Sequence, residues 1–278
     1  MPHELNCNIS ESVWRGLQSE VQRTNTHVND IVEHALASFL GIDHHSLFQI
    51  STSGALVKGV FQGCIRVSDL KLHGDFGLGT FPELDGEMIM LDGNCYQALA
   101  GGKVNEAEDD WLLPFGVATH FNADKTHSLE KVDSFADLEQ QIDVFRPSEN
   151  IFVGLRLEGT FDVLKMRTAC KAKPGEDLVT ATSHQSVFNL SDIQGTLVGF
   201  WTPNYARTLN VAGYHLHFIS SDRKFGGHLL DIQAKDLKLA LHLETEFHMA
   251  IPETKDFLKA DLRGDPTADL NVAEKSRD

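Results

Sequence analysis

From Leu47 onward the chain is divided into short apolar runs rich in β-branched and aromatic residues, among them CIRVSDL, GEMIMLDG, NIFVGLRLEG, GTFDVLKMR, GTLVGFW, YHLHFIS and KLALHLE. Gly, Asn and Asp punctuate them. Residues of this kind suit a pleated, half-buried surface, and turn residues between runs of strand length reverse the chain. Few long helical stripes interrupt the pattern, so the expected architecture is α+β or mostly β. A Pro-containing turn at Phe145, Arg146, Pro147 and Ser148 precedes a new series of strands, and an internal seam is expected near residues 145–149.

The first forty residues differ in kind. In ELNCNIS, Leu5, Cys7 and Ile9 alternate onto one face and predict a short strand. Ser10 is placed to cap a helix from about Glu11 to Arg23, with Val13, Leu17 and Val21 along one stripe. Thr26 is placed to cap a second helix, whose apolar face runs from Val28 to Leu40 before Gly41 ends it. Strand, helix, turn and helix over residues 1–42 resemble a ribbon-helix-helix module, whose chains intertwine as dimers and lay a ribbon in the DNA major groove. The outward ribbon residues would be Glu4, Asn6 and Asn8, with no cation among them. Arg15 and Arg23 stand against Glu4, Glu11, Glu20, Asp30 and Glu33, a balance that favours dimerisation over DNA binding.

The whole chain carries a formal net charge of −16, from 40 Asp and Glu against 24 Lys and Arg over 278 residues. That excess suits solubility and argues against a broad nucleic-acid surface, which needs clustered cations. Cys7, Cys64, Cys95 and Cys170 form no CxxC pair and read as isolated thiols of a reducing compartment. MPHELNCNISESVW has neither a basic n-region nor an apolar h-region, and no apolar stretch of about 18 residues occurs. A cytoplasmic location without membrane insertion is expected.

Residues 213–228, GYHLHFISSDRKFGGH, bear the clearest chemistry. In a strand the side-chain period is two, so His215 and His217 share a face. SSDRK reads as a turn, with Gly226 and Gly227 supplying freedom to reverse, and the hairpin would return His228 beside the first two histidines. Three imidazoles on a rigid support suit a divalent metal with an open coordination position. The bland alternative for a bare HxH is a pair of structural imidazoles.

A second unusual stretch, HGDFGLGTFPELDGEM at residues 73–88, reads as a glycine-rich loop entering the strand EMIML near Asp85 and Glu87. Its glycines would let a small ligand approach the backbone. It matches neither a Walker A loop nor GxGxxG. Arg167 ends an apolar run and offers a bidentate fork for a carboxylate. His120 and His184 lack partners at metal spacing, and His242 and His248 are read as structural. No GxSxG elbow supports a serine hydrolase.

HGDFGLGTF, LDGEM, KMRT, LVGFWTP and the histidine hairpin resemble, in order and spacing, the α-acetolactate decarboxylase family. The resemblance runs from about Leu47 (LFQISTSGAL) to the C-terminus, about five-sixths of the chain. It implies a metal-dependent carboxy-lyase that converts 2-acetolactate to acetoin and carbon dioxide in acetoin biosynthesis. It also implies two β-rich domains of mixed or antiparallel sheets over residues 46–278, a metal site between them, and a homodimer. Carried over residue by residue, the metal ligands are His215, His217 and His228. The catalytic groups are Glu87, Arg167 and, in the tail NVAEKSRD, Glu274, while Thr80 and Arg167 contact substrate. In the tail, alternating Leu270 and Val272 would anchor the segment and aim Glu274 inward. The first forty-odd residues depart from the family.

Losing carbon dioxide from a 2-hydroxy-3-oxo acid leaves an electron pair that a metal-bound enediolate can hold, the metal acting as Lewis acid. Zinc is the expected metal, since nitrogen ligands and non-redox chemistry favour it. Arg167 would orient the carboxylate, and either Glu87 or Glu274 would return the proton. The alternative is a metal- or ligand-sensing transcriptional regulator with a decarboxylase-like effector domain, which would require a lost catalytic residue. A metal-dependent hydrolase of another keto acid fits the motifs less well.

Overall fold

The computed structural model describes residues 5–24, 27–40 and 45–275, and the chain forms two units, Met1–His44 and His45–Asp278. In the first, helices span Glu11–Thr24 and Val28–Leu40. Ser10 caps the first through its carbonyl, which accepts from Trp14 N at 3.0 Å, and its hydroxyl, which accepts from Val13 N at 3.4 Å. Residues 5–10 form no strand, against the expectation from ELNCNIS. An isolated extended segment has no ladder to stabilise it, and alternation alone does not make one. Glu4, Thr26 and Gly41 lie outside the described residues.

In the second unit, strand alternation builds two principal sheets, giving a β-rich α+β fold. The seven-stranded sheet runs in the order Glu246–Ala250, Ser46–Ile50, Phe115–Thr119, Phe76–Thr80, Glu87–Leu91, Asn94–Ala98, Val104–Glu106. Its first pair is parallel and the remaining pairs are antiparallel. The stretch FGLGT is one of its buried central strands and not a loop. Its glycines serve backbone packing: a Cβ on Gly77 would lie 2.2 Å from Val117 O, and one on Gly79 2.4 Å from Phe115 O.

The second sheet contains Phe152–Thr168, Ser186–Thr202, Gly213–Ser220, Gly226–Glu244 and Lys125–Val132. Phe152–Thr168 pairs on one side with Ser186–Thr202 and on the other with Gly226–Glu244. Rungs between Gly213–Ser220 and Gly226–Glu244 close this sheet on itself. Leu197, Leu216, Leu229, Phe161 and Phe218 fill the interior, the two phenylalanines meeting edge to face at 5.2 Å. The opposite face of Gly213–Ser220 carries Ile219, which joins Leu78, Ile89 and Val117 of the first sheet in a shared core. That face also carries His215 and His217.

The turn at residues 145–149 does not separate the sheets. Lys125–Val132 already pairs with Gly226–Glu244, and helix Phe135–Asp143 buries Phe135, Leu138 and Ile142 against the same core. The chain passes between sheets at residues 120–124, because the apolar side chains on both sides of the turn belong to one core. Among the described residues, no helix is long and apolar enough to cross a membrane.

Candidate metal centre

Three of the expected residues share one row across the second sheet. Arg167 pairs with His228, and His228 pairs with His217. Strand pleating turns these side chains toward the first sheet, with His215 two residues along on the same face. The hairpin turn is built differently from expectation. Ser220 Oγ accepts from Lys224 N at 3.1 Å and Phe225 N at 3.0 Å, and Arg223 takes the left-handed conformation with φ 59°. Gly226 and Gly227 lie inside the returning strand. Gly227 is required there because its φ is +156° and a Cβ would come within 2.7 Å of Arg167 O.

The three imidazoles converge, each offering a ring nitrogen within 4.8 Å of the others. His215 Nε2 and His217 Nε2 are 3.1 Å apart. Tetrahedral zinc with bonds near 2.0–2.1 Å holds its donors about 3.3 Å apart, so this pair already stands at a ligand separation. His217 Nδ1 donates to the Met88 carbonyl at 2.9 Å, and His228 Nε2 to the Glu274 carbonyl at 3.1 Å. Each bond fixes a tautomer and leaves the other nitrogen with a lone pair. The buried Nδ1 of His228 has no hydrogen-bond partner. Burial pushes His217 down to about 3, opposed by the Met88 bond and assisted by Arg167. Burial likewise depresses His228, with Arg167 and the neighbouring imidazoles adding to it. Neutral, preoriented nitrogens fit a divalent metal.

Two carboxylates and a guanidinium surround them. Glu87 Oε2 lies 3.7 Å from His217 Nε2, and Glu87 Oε1 accepts from Ala169 N at 2.9 Å. Burial pushes the Glu87 carboxyl up to about 7 against the pull of Arg167 and the Ala169 N–H, with Glu274 adding to the rise. Glu274 Oε2 is 3.7 Å from His228 Nδ1, 4.0 Å from His215 Nε2, and paired with Arg167. Thr80 is held by its own bond, Oγ1 donating to Gly86 O at 2.9 Å. Thr80, Glu87, Arg167, His215 and Glu274 line one pocket, to which Leu56, Leu84, Phe115, Leu178 and Leu270 add an apolar wall. All seven sequence-chosen residues therefore lie around one pocket or its histidine cluster.

The tail reaches the site as a helix, Thr267–Lys275, and not through extended alternation. Leu270 and Ala273 are buried, whereas Val272 is 56% exposed. Helical spacing of three puts Leu270 and Ala273 on one face.

Sequence reasoning passed over three contributors. Gln185 Oε1 accepts from Arg167 Nη1 at 3.0 Å. Ser53 lines the pocket with a buried hydroxyl that has no partner. Met88 acts through a backbone carbonyl, which leaves no mark in composition. His242, read as structural, joins His45 and Asp124 in a second cluster.

Residues 47–264 match the family described as Alpha-acetolactate decarboxylase. The alpha-acetolactate decarboxylase of Methanosarcina mazei is 41% identical over 263 residues, covering 94% of this chain and 91% of the relative. That match is longer than residues 45–278 and reaches into the N-terminal unit, so the first forty-odd residues are not wholly foreign to such proteins. The Brevibacillus brevis alpha-acetolactate decarboxylase is 40% identical over 232 residues, covering 83% of this chain and 81% of that one. The crystal structure of alpha-acetolactate decarboxylase from Bacillus subtilis strain 168 aligns with TM-score 0.80 and 34% identity, over 83% of this chain and 100% of that chain. With its fold, its motifs and most of its length accounted for, the chain belongs to the α-acetolactate decarboxylase family.

Proposed function

We propose that this protein is a carboxy-lyase that converts 2-acetolactate to acetoin and carbon dioxide, with His215, His217 and His228 holding a divalent metal. The observation that carries the reading is the convergence of three buried imidazoles with Glu87, Arg167 and Glu274 beside one pocket. When bound, the metal supplies a Lewis acid for the charge that develops on the hydroxyl and ketone oxygens of the substrate. Zinc suits this donor set and the absence of redox chemistry in the reaction.

The chain's own groups divide the remaining work. Arg167 pairs with the substrate carboxylate in exchange for Glu274, orienting the carbon–carbon bond that breaks. The electron pair left behind spreads onto the adjacent carbonyl, and a carboxylic acid protonates the carbon to give acetoin. Glu87 and Glu274 are the two candidates for that proton. Thr80 contacts substrate, and the apolar wall restricts water near the reacting carbon.

A homodimer is the proposed assembly. The helical unit exposes Val13, Trp14, Leu36, Phe39 and Leu40, and a second copy of the chain would cover such a surface. A ribbon at residues 5–10 would require that same second copy as its partner. The local acidic balance argues against DNA as the ligand of this unit, and the four free cysteines suit a cytoplasmic setting. A sensing regulator would call for a missing catalytic residue, yet every one is present. Acetoin formation from acetolactate by the purified protein, abolished by chelator and restored by zinc, tests the activity; no acetoin under any metal loading defeats it.

A further inference from the structure

A second set of histidine and carboxylate donors gathers where the chain crosses between the two sheets. His45 immediately precedes Ser46–Ile50, Asp124 immediately precedes Lys125–Val132, and His242 lies near the end of Gly226–Glu244. One ligand-type atom from each lies within 4.8 Å of the others. His45 Nε2 is 3.7 Å from Asp124 Oδ1, and His242 Nδ1 is 3.5 Å from Asp124 Oδ2. Tetrahedral zinc sets its donors about 3.3 Å apart, so shifts of a few tenths of an ångström would suffice in these pairs. His242 Nδ1 donates to the Asn122 carbonyl at 2.6 Å, so an ion bound there would take the place of that proton.

The surroundings of His45 are those of a ligand. His45 Nδ1 lies 2.6 Å from the Leu243 carbonyl, which directs Nε2 toward Asp124. On the far side of His242, Nε2 lies 3.8 Å from Glu244 Oε1. The Glu244 side chain is fully buried beside His242 and Thr119. A histidine that binds metal through one nitrogen commonly gives its other N–H to a carboxylate, and a dication nearby would offset the cost of burying Glu244. His242 is itself buried, whereas His45 and Asp124 are partly exposed and leave the cluster an open edge for ion entry.

We propose that His45, Asp124 and His242 form a second divalent-metal site, of zinc type, that ties the two sheets together and is separate from the histidine hairpin. The ligands come from three segments distant in sequence, so a bound ion would stabilise the fold without joining the reaction. Zinc is the probe. Full-length wild-type protein dialysed against zinc and desalted is expected to hold about two equivalents per chain by elemental analysis, and H45Q/D124N about one. The variant should keep turnover per hairpin-bound zinc within about twofold of wild type and lose part of the zinc-dependent rise in Tm. Anomalous diffraction from zinc-loaded wild-type crystals is expected to show a peak among His45, Asp124 and His242, and this reading does not depend on the variant folding. No peak there, with equal zinc in wild type and H45Q/D124N, would overturn the proposal and leave the cluster a buried ionic clasp.

Discussion

Arg167 and Glu274, 107 residues apart in the chain, form a largely buried ion pair beside the three hairpin histidines. The arginine is carried by a central strand of the closed sheet and the glutamate by the last described helix. The pair therefore couples the C-terminal helix to the charge of the pocket. In the proposed reaction, a substrate carboxylate that engages Arg167 would release Glu274 beside the reacting carbon.

Glu274→Gln tests that coupling. The amide keeps the shape and some hydrogen bonding, so fold and metal content should persist. Turnover should fall by about 10²-fold or more, the scale of a general acid–base group. Loss of product chirality would identify Glu274 as the proton donor, and retained chirality at reduced rate would assign the proton to Glu87. Wild-type turnover with unchanged chirality would remove Glu274 from the reaction.

Replacing His215 and His217 together by alanine should cost one equivalent of tightly bound metal per chain and bring turnover to background. Two of three nitrogen donors disappear, and the remaining imidazole is too few for a stable site. Elemental analysis and the acetoin assay on the same preparation check both halves. Undiminished metal in that variant would move the site elsewhere.

A chain beginning at residue 45 should retain turnover per site, because every group around the pocket belongs to the second unit. Size-exclusion chromatography with light scattering should show a smaller assembly if the exposed apolar side chains of the helical unit hold two copies together. A truncated protein that folds and binds metal but makes no acetoin would place part of the active site in the first forty-four residues.

Arg146 anchors the turn at residues 145–149. Its guanidinium lies 3.5 Å from the Trp201 ring centroid, donates to Tyr214 Oη at 2.9 Å, and pairs with Asp143. Its side chain is 4% exposed, so Arg146→Ala should destabilise the fold by about 2 kcal/mol or more in urea titration. Burial acts to raise the Asp143 carboxyl, but the Tyr214 and Arg146 hydrogen bonds outweigh it and hold it below the ordinary range. Its folded value being depressed, its contribution is present above the unfolded pKa of about 4 and is lost as pH falls through the folded value. Solvent screening keeps this term small, since Asp143 is half exposed. Tm should drop more steeply with acid in wild type than in Asp143→Asn, and parallel profiles would count against the assignment.

The local content of the site was legible in the sequence. The period of two put His215 and His217 on one face, and the hairpin returned His228 to them. Long family motifs marked Thr80, Glu87 and Arg167. Helix Val28–Leu40 was legible from its apolar stripe. Local pattern failed where pairing or packing decides the outcome. ELNCNIS alternates as strands do but lacks a ladder, and FGLGT looks like a loop until neighbouring strands bury its backbone. The tail forms a helix because Leu270 and Ala273 find a core to enter, whereas the sequence alone offered Leu270 and Val272 equally. The row of Arg167, His228 and His217, the reach of Glu274 to Arg167, and the meeting of His45, Asp124 and His242 depend on strand register and helix docking. Sequence periodicity specifies which way a side chain faces along its own element. Which distant residue it faces is decided by long-range packing, whose free energy is shared over the whole core and written in no single segment.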